Sequence, residues 1–99
     1  MAQMERDIER RLVQTVKQMG GLCLKWVCPG WAGVPDRIIL FPGGVVAFAE
    51  TKRPQGGRVG KLQRWWRGRL MDMGFWFFYI WDYMDIDELR QTMTAVMQK

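Results

Sequence analysis

A chain of 99 residues makes one domain, and a domain of this size hides only about two-thirds of the surface its unfolded form exposes, so its core has to be densely apolar. Six Trp, five Phe, two Tyr and eight Met supply such a core, and a charged fraction of 25% excludes a disordered or fibrous chain. The 15 Lys and Arg outnumber the 10 Asp and Glu, a balance that favours a polyanionic partner such as nucleic acid.

The excess charge is unevenly placed. From Lys52 to Arg69 seven basic residues occur without an acid, and from Leu70 to Leu89 five acids occur without a base, so the molecule is electrically two-sided. No apolar run has the length of a membrane span, and the start Met1-Ala2-Gln3-Met4-Glu5 lacks the apolar segment of a secretory signal. A cytoplasmic location is expected (the host cytoplasm for a viral protein), with no membrane contact. Cys23 and Cys28 lie an odd number of positions apart, so in one strand they face opposite sides, and two Cys without a His cannot furnish a tetrahedral zinc site. Reduced core thiols are expected.

Residues 4 to 19 carry Met4, Ile8, Leu12, Val16 and Met19 at three- and four-residue spacing, the period of an amphipathic helix, with Gly20-Gly21 as its stop. Leu22 to Cys28 reads as a short strand ended by Pro29-Gly30, and a loop with Gly33 and Pro35 leads to Asp36. Two apolar runs, Arg37 to Phe41 and Val45 to Ala49, are joined by Pro42-Gly43-Gly44, the pattern of a β-hairpin. Both faces of each run are apolar, which places the hairpin centrally in a sheet covered on both sides.

After the loop Pro54-Gln55-Gly56-Gly57, residues 59 to 73 bring Leu62, Trp66, Leu70 and Met73 to one helical face and end at Gly74. Phe75 to Trp81 is a short aromatic strand. The strand, helix, strand order implies a parallel right-handed crossover. Asp85 or Asp87 is then placed to cap a final helix over about 86 to 97. The whole reads as one α/β domain over residues 1–99, in the order αβββαβα, with a mixed central sheet and helices on both faces.

If the three-residue turn closes the hairpin, Phe41 pairs with Val45 and Asp36 falls directly opposite Glu50. A two-residue turn would instead make the two acids diagonal. In either register Lys52 shares the side of Glu50. Singly these residues are ordinary strand-end charges, but Glu50 and Lys52 continue the apolar face of Val46 and Phe48, where an uncompensated charge is costly. Two facing carboxylates repel unless one is protonated or a cation lies between them, and such oxygen ligands suit Mg²⁺, with Mn²⁺ as a substitute. A cation there would activate water and polarise a phosphoryl oxygen, while Lys52 holds or deprotonates the nucleophile or offsets developing charge. This is equipment for phosphodiester hydrolysis.

Gly33-Val34-Pro35-Asp36, a hairpin, Glu50-Thr51-Lys52 and Gln63 in the next helix together resemble the PD-(D/E)xK nuclease superfamily, and within it the VRR-NUC branch of virus-type replication and repair nucleases. The resemblance implies a restriction-endonuclease-like fold and a Mg²⁺-dependent endonuclease that leaves a 5′-phosphate on branched or otherwise structured DNA, without a small-molecule cofactor. It also implies a further metal-binding acid in the first helix. Stepping 100° per residue from Leu12, Glu5 lies about 20° from the centre of the apolar stripe and Glu9 about 60°, so Glu5 joins Asp36 and Glu50 as expected metal ligands. Gln63 is similar in position to a Gln that members place in the crossover helix, where its amide binds phosphate or orients water; an exposed helix residue is the equal alternative.

Arg53, Arg58, Lys61, Arg64 and Arg67 surround the expected site and suit contacts to backbone phosphates. Trp65 points about 100° from Trp66, and the sequence leaves open whether it stacks on an unpaired base or forms an interface. Stand-alone viral members of the resembling family are dimers acting on four-way junctions, so a homodimer is expected. A catalytically inactive binding module, or an interaction subunit of a larger repair complex, is the alternative.

Overall fold

In the computed structural model, which describes residues 4–53 and 56–99, the elements run α1 (Glu5–Gln18), β1 (Leu22–Lys25), β2 (Arg37–Phe41), β3 (Val45–Thr51), α2 (Lys61–Asp72), β4 (Trp76–Ile80) and α3 (Tyr83–Met97). Met1 to Gln3 of the start and Pro54-Gln55 of the loop lie outside the described residues. The order αβββαβα is the expected one.

The helices stop where the glycines require. Gly20 adopts φ 85°, its N–H donates to Lys17 O, and Gly21 N–H donates to Val16 O, the paired bonds of a Schellman cap. Gly74 ends α2 in the same way, with Gly74 N–H on Met71 O and Phe75 N–H on Leu70 O. Helix α3 begins earlier than its two candidate caps indicated: Asp82 is the N-cap, accepting from Asp85 N–H at 3.1 Å, while Asp85 Oδ2 accepts from Trp81 N–H at 2.8 Å. The reciprocal pair satisfies two backbone donors at once.

The sheet order is β1-β2-β3-β4, antiparallel except for the parallel β3–β4 pair. Phe41 pairs with Val45 and Arg37 with Ala49, so the turn has three residues and the hairpin is central. β1 is shorter than the expected run to Cys28, although Trp26 N–H still donates to Asp36 O at 2.7 Å before the chain leaves the sheet.

One face of the sheet, with Cys23, Ile39, Ala47 and Ile80, closes against Ile8, Leu12 and Val16 of α1 and Ile86, Leu89 and Met93 of α3. Each large aliphatic buried there contributes about 1.5–3 kcal/mol. Met4 precedes α1 and is exposed. Burial pushes the Cys23 thiol up to about 11, which makes it an inert core thiol; Cys28 is also free but half-buried.

Of the described helices, α2 is the one that lies on the other face. Of the expected stripe only Leu70 is buried; Leu62 and Met73 are about half exposed and Trp66 is half-buried. A helix is about 10 Å wide, whereas four strands at about 4.8 Å spacing make a wider surface. α2 packs over β4 and leaves Leu22, Leu24 and Leu40 exposed on the far half. An aromatic chain fills the space beneath α2, from Phe75 through Phe48 and Trp26 to Trp66.

Candidate active site

Asp36 is the residue before β2, and the register sets it beside the end of β3. Its Oδ2 accepts from Thr51 N–H at 2.9 Å and from Thr51 Oγ1 at 2.8 Å, two donors that fix the carboxylate against the strand end. Glu50 projects from the opposite sheet face to Thr51 and is 4% exposed. Burial, and then the nearby Asp36 carboxylate, push Glu50 up to about 8 from 4.5, against an opposing pull from Lys52.

Lys52 continues past β3, its N–H donating to Ile80 O at 2.9 Å, and its side chain is nearly buried. Its Nζ donates to Gln63 Oε1 at 2.7 Å and lies 3.8 Å from Glu50 Oε1. Gln63 Nε2 in turn donates to Glu50 Oε1 at 3.2 Å, and Gly60 N–H donates to Gln63 Oε1 at 2.9 Å. Gln63 therefore ties the first turn of α2 to both members of the Glu-x-Lys pair. Its side chain is half-buried and bonded at both amide atoms.

A cleft of about 520 Å³ opens on this cluster, lined among others by Glu5, Asp36, Glu50, Lys52, Arg53 and Arg58. Among the described residues no three acids converge closely enough to hold a metal ion together. Glu5 thus stands on the cleft wall and does not complete a three-carboxylate set with Asp36 and Glu50, because it sits on the first turn of α1. Glu9 reaches the same strand end: its Oε1 lies 3.8 Å from Arg37 Nη2 and 3.3 Å from Thr51 Oγ1, whose single proton has its shorter contact, 2.8 Å, with Asp36 Oδ2. The donor set nonetheless fits a hard divalent cation. Glu50 Oε2 is buried without a hydrogen-bond partner, and a second carboxylate oxygen group, Asp36, is close enough to raise its pKa. An unpaired buried oxygen is costly, and a cation at that point would offset both the orphaned oxygen and the repulsion.

A solved structure described as a VRR_NUC domain matches this chain with a TM-score of 0.82, covering 88% of this chain and 94% of that one at 24% identity. The chain has a VRR-NUC fold. In sequence, 50 residues are 46% identical to a protein of Acyrthosiphon pisum secondary endosymbiont phage 1 named "Putative nuclease p44". That stretch is 50% of this chain and 54% of the relative, so the match spans about half of each. No family profile matches the chain. The resemblance read from the Pro-Asp, Glu-x-Lys and Gln motifs thus holds for the fold.

In this VRR-NUC fold three further residues bear on the site. Thr51 holds Asp36. Arg37, inward-facing and 9% exposed, holds Glu9; a basic residue at a core-facing position of an apolar strand was the available signal. Tyr79 is the parallel register partner of Glu50; its hydroxyl is buried without a partner, burial raises its pKa, and the Arg67 guanidinium lies 5.6 Å from its ring centroid. Thr51→Val keeps the shape but removes one of the two donors to Asp36. We expect a loss of about 1–2 kcal/mol in denaturant unfolding with a clear reduction in any Asp36-dependent activity; unchanged stability would mean that the hydroxyl is not engaged.

Proposed function

We propose that the protein is a Mg²⁺-dependent DNA endonuclease, with Mn²⁺ able to substitute, acting on branched DNA. The observation that carries this reading is the buried, partnerless Oε2 of Glu50 beside Asp36, with Lys52 and Gln63 bonded into the same cluster. Asp36 and Glu50 would hold the cation, with Glu5 on the cleft wall as the helix-one acid. When bound, the cation acidifies a water and polarises a phosphoryl oxygen.

The chain's own groups supply the rest. Thr51 keeps Asp36 from rotating away, and Gln63 keeps the Lys52 ammonium next to Glu50. The ammonium offsets negative charge that develops on the phosphoryl oxygens. Water attacks phosphorus, the bond to the 3′ oxygen breaks, and the products are a 5′-phosphate and a 3′-hydroxyl. Arg53, Arg58, Lys61, Arg64 and Arg67 are all exposed and would neutralise phosphates along the strand.

Two expectations follow for binding and assembly. If about five of these side chains meet phosphates, log K falls with log[salt] with a slope near −4 to −5, and replacing Arg64 and Arg67 together lowers that slope by about one to two units. A flat salt response in fluorescence anisotropy would remove the basic segment as the DNA surface. The exposed apolar half-sheet of Leu22, Leu24 and Leu40 favours a homodimer, which would present two sites to two equivalent strands. Light scattering tests this; a monomer mass of 11.7 kDa with and without junction DNA excludes it.

The substrate is tested with labelled linear, flapped and four-way DNA. Faster cutting of the branched forms supports the reading, and equal rates on linear duplex and junction remove the structure preference. Metal-independent binding without cutting would instead favour a nucleic-acid-binding module.

A further inference from the structure

On the flank of α2 away from the carboxylates lies a second cleft of about 520 Å³, walled by Trp31, Ala32, Leu62, Trp65 and Trp66, with Lys61 at its edge. Its size is within the range of ligand pockets and ample for a nucleobase. Trp31 and Trp65 are 60% and 50% exposed, unusually so for indoles. They are nevertheless held in place. Trp66 donates from Nε1 to Ala32 O at 2.9 Å, and both Trp31 and Trp65 pack edge-on against it, at 5.9 and 5.2 Å between ring centroids. Gly33 brings the loop so close to the helix that a Cβ there would lie 2.6 Å from Leu62. The pocket is thus formed in advance, with aromatic walls and hardly a hydrogen-bonding group to read an edge.

We propose that this cleft takes one unpaired, unstacked nucleobase of the DNA strand, while Lys61 meets the adjoining phosphate. Charge and chemistry agree on this occupant. The cleft opens from the segment Lys52 to Arg69, which has no acid, so a strand drawn to Lys61, Arg64 and Arg67 passes its mouth. Indole faces stack on any base, which gives affinity without sequence choice. Leu62 precedes Gln63 in helix α2 and Trp65 follows it two positions later, so the pocket and the Glu50 cluster lie on different sides of one helix, about its 10 Å diameter apart. A base held here therefore comes from within a nucleotide or two of the phosphate at the carboxylates. A fully stacked duplex has no base to offer, whereas a flap or a branch point opened on binding does, so the pocket deepens the proposed substrate class and rests on that reading.

The test is read in EDTA, so that it does not depend on cutting. Binding of a labelled oligothymidine and of a blunt duplex is compared for the parent, Trp31→Ala, Trp65→Ala and Trp65→Phe. Both positions are exposed enough for the replacements to leave the core alone. Each Ala variant should bind the single strand about 5- to 150-fold more weakly, the scale of one stacked base, with duplex affinity within about two-fold and Trp65→Phe largely restoring the loss. Irradiating the parent with an oligonucleotide carrying 5-iododeoxyuridine should crosslink Trp31 or Trp65. Single-strand affinity that is unchanged, or that falls in step with duplex affinity, overturns the proposal, as does crosslinking confined to other segments. A dimer that dissociates in the Ala variants without losing single-strand affinity assigns the cleft to a second copy. Metal-dependent cutting by Ala variants that bind single strands normally would sink the pocket and leave the nuclease reading standing.

Discussion

Glu50→Gln should lower divalent-cation-dependent cleavage on the order of 10³-fold or more, the scale lost when a charge that stabilises a phosphoryl transition state is removed, while DNA affinity should stay within about three-fold. The split follows from geometry. Glu50 is 4% exposed at the floor of its cleft, whereas Arg53, Arg58, Lys61, Arg64 and Arg67 stand in solvent and, on the proposed reading, would set the electrostatic affinity. Asp36→Asn should behave alike, and Lys52→Ala should lose cleavage without a matching loss of binding. The comparison is made by gel assay of cutting beside anisotropy of binding. Retained cutting in Glu50→Gln would refute the site; affinity lost in parallel with activity would mean that the acids serve only to shape the DNA surface.

Thermal stability in metal-free buffer should fall as pH rises from about 5 to about 8, and Glu50→Gln should abolish that part of the fall. The carboxyl is raised from 4.5 to about 8 on folding, so the folded state binds more protons than the unfolded state across this window, and stability has a negative slope with pH. Below about pH 4.5 both states are protonated and the group costs nothing; above about 8 the full penalty is present, a few kcal/mol at about 1.4 kcal/mol per unit. A divalent cation favours the ionised form and should flatten the curve. Asp36→Asn removes the second-largest cause of the shift and should raise stability near pH 8 in EDTA. A metal-free melting profile that is flat in this range for the parent, or equally steep for Glu50→Gln, contradicts the buried pair.

The hairpin was the most legible part of the chain because two apolar runs and a Pro-Gly-Gly turn agree on it; its register was open between a two- and a three-residue turn, since runs apolar on both faces do not choose, and the observed three-residue turn carries Asp36 to Glu50. The crossover to β4 and the glycine stops were readable for the same reason. Thr51 was not, since alternation assigns the residue between Glu50 and Lys52 to the other face; its N–H and hydroxyl reach Asp36 only because the strand ends there. The α2 stripe misled because helical period describes which residues share a face, not how much sheet lies under it. Leu62 belongs to the stripe and still faces a solvent cleft. Asp82 was hidden by the aromatic run before it, and the helical period, which favours Glu5 over Glu9, carries no sign of the Arg37 that lies beside Glu9.

The central claim is that the Asp36, Glu50, Lys52 and Gln63 cluster cuts phosphodiester bonds with a divalent cation. Its most direct measurement is the incubation of purified protein and of Glu50→Gln with end-labelled four-way DNA in Mg²⁺ or in EDTA, with the new ends mapped. The account predicts cutting by the parent in Mg²⁺ alone, 5′-phosphate ends, and none from Glu50→Gln. Cutting in EDTA, equal cutting by the two proteins, or no cutting by the parent with any divalent cation would contradict it.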